Sequence, residues 1–182
     1  IRLVEEKGAG EIDIPDEDEQ TGRLLKNART ISCCQLESPA MRNLLRMLRV
    51  SSVEGLMQAL ALVRPAPASG GMKEKFVRRA RGLEPTTYPL PRLEEILADS
   101  YGIMLYEDHA MKVASALAGI TIEEGDLLRK AISKAGSDQE LKRLSGYFIG
   151  KATRNGAPWR VAARMWSRMA QFNAYSFCKA HA

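Results

Sequence analysis

The chain has 182 residues, 45% hydrophobic and 27% charged, with 27 Lys and Arg against 22 Asp and Glu for a formal net charge of +5. Those proportions describe one ordinary globular domain, or one with a small appendage, long enough to bury a core. No apolar run reaches the length of a membrane span, and the start, Ile1 to Glu6, is too acidic and short for a signal peptide. The three cysteines, two of them adjacent at Cys33 and Cys34, form no disulfide framework, so a reducing cytoplasm is the expected setting.

Residues 1–17 are acidic and read as a solvated linker. Oxygen ligands at Asp13, Asp16, Glu17, Asp18 and Glu19 raise the question of a metal, but the run lacks the alternating spacing and the glycine of a calcium loop. Asp18 is better placed to N-cap a helix running to about Ala28. The apolar, partly β-branched stretch 31–36, ISCCQL, reads as a strand, with one of its two cysteines facing the core. A zinc site built from Cys33, Cys34, Cys178 and His181 is disfavoured, because adjacent cysteines rarely serve one tetrahedral ion.

Ser38 and Pro39 open the next helix as cap and first-turn proline. Met41, Leu44, Leu45 and Leu48 form its apolar stripe and leave Arg42, Arg46 and Arg49 on the flank. A further helix runs from about Ser52 to Val63. RPAPASGG at 64–71 breaks the pattern, a basic helix follows at 72–81, and a proline-punctuated loop occupies 84–95. YGIMLY at 101–106 is the second strand candidate. It feeds a helix from Glu107 to about Leu117. Thr121 to Glu124 is a capping box for a helix carrying Arg129, Lys130 and Lys134, and two more helices fill 138–154 and 158–172. The expected fold is therefore mostly α, with one or two short β-strands.

Positive charge gathers at 42–49, 73–81, 127–134 and 151–160. These clusters either line one groove or are separate solvated helix faces, the second being the plainer reading. On a helix, Arg129 and Lys130 are neighbours and Lys134 lies one turn on, a spacing suited to gripping phosphates with a guanidinium fork and a point charge. The bland alternative for Arg129 is an ion pair with Asp126 or a nearby acid. His109 and His181 have no obvious nucleophile beside them.

Six stretches in order, CCQLESPAMRNLLRML (33–48), ALVRPAPASGGM (61–72), RGLEPTTYPLPRLEEIL (81–97), YGIMLYEDHAMKVASALAG (101–119), EGDLLRKAISK (124–134) and FNAYSFCKAHA (172–182), resemble the α subunit of bacterial DNA polymerase III. The resemblance covers nearly the whole chain from about Ile14. It implies that 18–182 is a helical fingers domain, truncated at its C-terminus, and that 1–17 is a linker following a palm. The palm's aspartates would bind two Mg²⁺ ions upstream of Ile1, and no metal would be held here. The chain would then be cut inside a larger protein, and the fragment alone would be inactive.

The same resemblance implies roles for residues. Arg129, Lys130, Lys134, Lys179 and His181 match family positions expected to hold the incoming dNTP, with Arg64 and Ser38 close by. Arg42, Arg46, Lys73, Lys75, Arg78 and Arg79 are expected to contact template–primer DNA. The palm of the same polypeptide is an implied partner, while a sliding clamp and other replisome subunits would bind through regions outside this chain. Ala66 in the Arg-Pro-x-Pro loop, Cys34, Cys178, Ala180 and the single cation in Ser133-Lys134-Ala135 depart from the family pattern and imply a divergent, damage-tolerant copy. The rival readings are a free-standing basic helical module tracking a nucleic-acid backbone, and a protein-interaction scaffold.

Overall fold

A computed structural model of the chain describes residues 18–63, 71–173 and 177–181. Among these it contains nine α-helices and three 3-10 turns, and no strand. The chain divides into two compact units, residues 1–56 and 57–182.

In the first unit, Asp18 accepts a hydrogen bond from the Thr21 N–H at 2.6 Å and caps α1 (Glu19–Lys26). Ser38 does the same for α2 (Pro39–Leu48), accepting from Met41 N at 3.2 Å with Pro39 in the first turn. The stripe read from the sequence faces inward, with Met41, Leu44 and Leu45 essentially inaccessible, and Leu25, Ala28 and Val50 of the same unit are buried too. Then α3 (Val53–Leu62) carries the chain out of this unit.

Residues 31–36 are turns, not a strand. Ser32 (φ 67°) and Gln35 (φ 63°) are left-handed, and Cys33 N and Leu36 N donate three residues back, to Thr30 and Cys33 carbonyls. Donors bonded locally in this way are withdrawn from any ladder. Both cysteines are exposed, against the expectation that one would be core.

The second unit holds α4 (Met72–Ala80), the short α5 (Glu94–Leu97) between two 3-10 turns, α6 (Glu107–Ala118), α7 (Ile122–Lys134), α8 (Asp138–Arg154) and α9 (Trp159–Asn173). The last four pack round a core of Val113, Leu117, Leu128, Ile132, Phe148, Met165, Trp166 and Met169. Burial of each large apolar side chain contributes about 1.5–3 kcal/mol. Phe148 and Trp166 lie with ring centroids 5.9 Å apart. The capping box at Thr121 and Glu124 is complete in both directions. Gly125 lets α7 come close to α6, since a Cβ there would meet Met111 O at 2.8 Å.

The second strand expected from the sequence is also absent. Tyr101 (φ 55°) and Gly102 (φ 75°) turn the chain sharply after the 3-10 turn Ala98–Ser100. Ile103 to Tyr106 are apolar because they are buried in the core, not because they pair with a neighbouring strand. The loop expected at 84–95 already contains the 3-10 turn Pro91–Leu93 and the start of α5.

Candidate functional site

The N-terminus of α6 organises the candidate site. Its first residue, Glu107, receives a backbone hydrogen bond, the N–H donating to Phe177 O at 3.0 Å, which draws the C-terminal segment against this helix end. The Glu107 carboxylate in turn lies 3.4 Å from Arg129 Nη1. Arg129 is largely buried, with 15% of its side chain exposed, and its Nη2 and Nε also reach Asp126 Oδ1 at 2.9 and 3.1 Å. Asp126 Oδ2 holds Lys130 Nζ at 2.6 Å. Lys130 is the main cause that holds the Asp126 carboxyl below its usual range. The ion pair weighed for Arg129 from the sequence is thus present, and one carboxylate serves both cations.

A second cluster meets the same helix end. Lys179 Nζ lies 3.3 Å from Asp99 Oδ2 and 5.1 Å from the centroid of the Tyr106 ring. The other Asp99 oxygen faces His109 Nε2 at 3.3 Å. His109 is 2% exposed, and its Nδ1 accepts from Leu105 N–H at 3.2 Å, so the ring proton of the neutral form sits on Nε2, toward Asp99. Burial is the chief cause pushing the His109 pKa down; Lys112 and Lys179 push the same way, and Asp99 and Asp108 oppose them. The contact with Asp99 therefore joins a neutral imidazole to a carboxylate at pH 7. Burial, with Asp99 and Asp108, also raises the Tyr106 phenol to about 12, so it stays protonated.

His109 gives stability a pH dependence with a definite sign. The unfolded chain takes up the proton near the ordinary value of 6.5, before the folded chain does, so stability falls as pH drops below that value and levels off below the folded pKa. The urea midpoint of the wild type is expected to fall more than that of His109→Gln between about pH 7.5 and about pH 5. Equal decreases in the two proteins would show that this ring is not the titrating group.

The remaining predicted residues are spread more widely. Lys134 is exposed in the last turn of α7, and His181 ends the 3-10 turn Lys179–His181. Arg64 lies outside the described residues. Ser38, Arg42 and Arg46 belong to the first unit. There Ser38 caps α2, Arg42 Nε donates to Ala28 O at 3.0 Å, and Arg46 is exposed. In the second unit, Glu84 gathers Lys75 (3.8 Å), Arg78 (3.5 Å) and Arg79 (3.2 Å), and Lys73 is half-buried. Arg79 is 6% exposed and also donates to Tyr101 O and Thr87 Oγ1 at 2.8 and 2.9 Å. It braces α4 against the turn at 101–102.

Sequence spacing alone missed Asp99 and Tyr106, which lie on another segment from Lys179 and meet it only through the fold. Among the described residues, no helix is long and apolar enough to cross a membrane.

The sequence matches, over residues 2–156, the family described as the bacterial DNA polymerase III alpha subunit finger domain. It is 35% identical over 170 residues to the DNA polymerase III subunit alpha of Aquifex aeolicus, covering 93% of this chain and 15% of that protein. It is 35% identical over 179 residues to the error-prone DNA polymerase of Symbiobacterium thermophilum, covering 97% and 16%. To the subunit alpha of Haemophilus influenzae it is 33% identical over 189 residues, covering 100% and 16%. The chain thus spans about 15% of the length of these curated relatives.

Proposed function

The chain belongs to the bacterial DNA polymerase III alpha subunit finger-domain family, and from that premise we propose that it binds the triphosphate of an incoming dNTP for a DNA-directed nucleotidyl transfer. The observation that carries this reading is that Arg129 and Lys179 both meet the N-terminal end of α6, with Lys130 joined to Arg129 through Asp126, within one compact unit. Each cation is presented by a carboxylate, Asp126, Glu107 or Asp99. A polyphosphate offers more charge and more acceptor oxygens than a single carboxylate, so it competes for the same guanidinium fork and ammonium groups. The helix end adds a modest favourable field for anions, which Glu107 and Asp108 in its first turn already use.

The residues of this chain bind and orient. Among the described residues, no cluster of acidic, His or Cys side chains is arranged to hold a metal ion, and Asp99, Glu107 and Asp126 are each engaged with a basic partner. Mg²⁺ held by a palm elsewhere in the polypeptide would supply activation of the primer hydroxyl and charge neutralisation. The isolated chain is accordingly expected to extend no primer even with Mg²⁺, dNTPs and primed template. Robust extension by the pure chain would overturn the assignment of the chemistry to another domain.

DNA contact by the first-unit cations Arg42 and Arg46, and by Lys73, Lys75 and Arg78, belongs to the same reading, with Arg79 acting as their brace. The bonds of Arg42 and Arg79 within the fold and the pairing of Lys75 and Arg78 with Glu84 weigh equally on these contacts and on a free-standing basic module. A lower-fidelity parent is favoured by the departures at Cys34, Ala66, Cys178 and Ala180. The replicative and error-prone relatives match equally well, at 35% identity each.

A further inference from the structure

The segment between α1 and α2 carries a pair of side chains that neither the core nor the candidate site uses. Its base is tied at two points. The buried Thr30 hydroxyl donates to Leu36 O at 2.7 Å, and the Ser32 N–H donates to Glu37 Oε2 at 3.1 Å. Between these ties the backbone makes two successive tight turns that share Cys33, whose N–H donates to Thr30 O at 3.2 Å and whose carbonyl accepts from the Leu36 N–H at 3.0 Å. The left-handed residues Ser32 and Gln35 complete the two turns and bracket Cys33 and Cys34. Residues 31–35 are all exposed, so both thiols meet solvent on a backbone whose ends are held. That placement is unusual, since a free cysteine is among the most buried residue types and packs as a small hydrophobe. Cys34 departs from the family pattern, so the pair is a property of this chain and not of the family at large.

We propose that Cys33 and Cys34 form a thiol–disulfide exchange site whose reactant is a low-molecular-weight disulfide, RSSR. One cysteine, as its thiolate, attacks RSSR, so that a mixed disulfide forms on the protein and one RS⁻ leaves. The neighbouring cysteine then attacks the protein-side sulfur, expels the second RS⁻ and closes a disulfide between Cys33 and Cys34. The two thiols are thereby oxidised by two electrons, RSSR is reduced to two RSH, and the two cysteine protons end on the leaving thiols. Adjacency decides the character of the product. The peptide joining the two residues is trans. Neighbouring Cα atoms across a trans peptide stand about 3.8 Å apart, whereas relaxed disulfides span roughly 4.4–6.8 Å. The closed ring therefore pulls against the two turns and is a strained, exposed disulfide, of the kind that a thiol readily reopens. The pair is a reversible site, a dithiol while thiol is in excess and closed when disulfide accumulates. A lone exposed cysteine would instead stay capped, having no neighbour to expel the cap.

The inference does not rest on the polymerase reading. Its test treats the reduced full chain with excess glutathione disulfide and maps tryptic peptides by mass spectrometry without a reductant. Cleavage after Arg29 and Arg42 releases residues 30–42, which hold Cys33 and Cys34 and no other cysteine. In the wild type this peptide should lose its two thiol hydrogens and carry no glutathione, and excess reduced glutathione should then restore the dithiol. Cys33→Ser and Cys34→Ser, both at exposed positions, should keep the wild-type circular dichroism melt and hold a glutathione adduct on the cysteine that remains. Cys178, half-buried and without a neighbouring thiol in sequence, supplies an internal comparison within the same digest. A wild-type pair that retains glutathione to the same extent as the single variants would overturn the proposal. So would a pair left fully reduced, or a closed pair that excess reduced glutathione fails to reopen.

Discussion

Arg79→Ala is expected to lower the stability of the second unit by about 3 kcal/mol, the largest effect expected of any single charged residue among those described. The guanidinium is 6% exposed and divides its donors among Glu84 Oε1, Tyr101 O and Thr87 Oγ1. Its loss leaves a backbone carbonyl and a hydroxyl without their donor in a half-closed site and empties the volume of the side chain. The figure stays at the low end of the range for buried-pair truncations because Glu84 keeps Lys75 and Arg78 nearby. The turn itself is fixed by Gly102, whose φ is +75° and where a Cβ would meet Thr87 O at 2.8 Å. The comparison that decides is Arg78→Ala, one residue away with 61% of its side chain exposed, where the change should be within about 0.5 kcal/mol. Unfolding free energies from urea titration that agree within that margin for the two variants would remove Arg79 from the fold's supports.

The same pair of neighbours shows what was legible in the sequence and what was not. Helices carry their signals locally. Asp18, Ser38 and the Thr121–Glu124 box each mark a start, and the Met41, Leu44, Leu45 stripe marks a buried face, so these elements were readable to within a residue or two. The two expected strands failed for a reason that is not local. ISCCQL and YGIMLY have strand composition, but Ser32, Gln35, Tyr101 and Gly102 adopt positive φ, and apolar character at 103–106 reflects burial alone. Strand formation depends on a partner, which composition does not reveal.

For the site, the cations were visible and their counter-charges mostly were not. Asp126 lies three and four residues from Arg129 and Lys130, inside helical reach, and was accordingly legible. Asp99 stands 80 residues from Lys179, and the two meet where the Glu107 N–H bonds to Phe177 O at the α6 end, beside Tyr106 and His109. Likewise nothing in the run KEKFVRRAR distinguishes Arg78 from Arg79. One helical step of about 100° turns an exposed cation into a buried brace.

If the chain grips dNTP as proposed, Arg129→Ala in a complete polymerase carrying this domain is expected to raise the KM for dNTP or lower kcat by roughly ten- to a hundredfold, the loss of one charge-assisted contact worth about 1.5–3 kcal/mol. The partial burial of Arg129 and its bonds to Glu107 on α6 and Asp126 on α7 make a purely structural role the serious competitor. Asp126→Asn separates the two. If Arg129 only clamps α7 to α6 through Glu107, with Asp126 steadying it from its own helix, removing the Asp126 charge should destabilise the fold in the same direction as Arg129→Ala, and the two effects should fail to add in a double-mutant cycle. If instead Asp126 holds Arg129 and Lys130 ready for a polyphosphate, its neutralisation frees two cations and should leave the KM for dNTP unchanged or lower it. Unperturbed kinetics in Arg129→Ala, together with a lowered urea midpoint, would make this arginine a clamp between helices and move the nucleotide grip to Lys130 and Lys179.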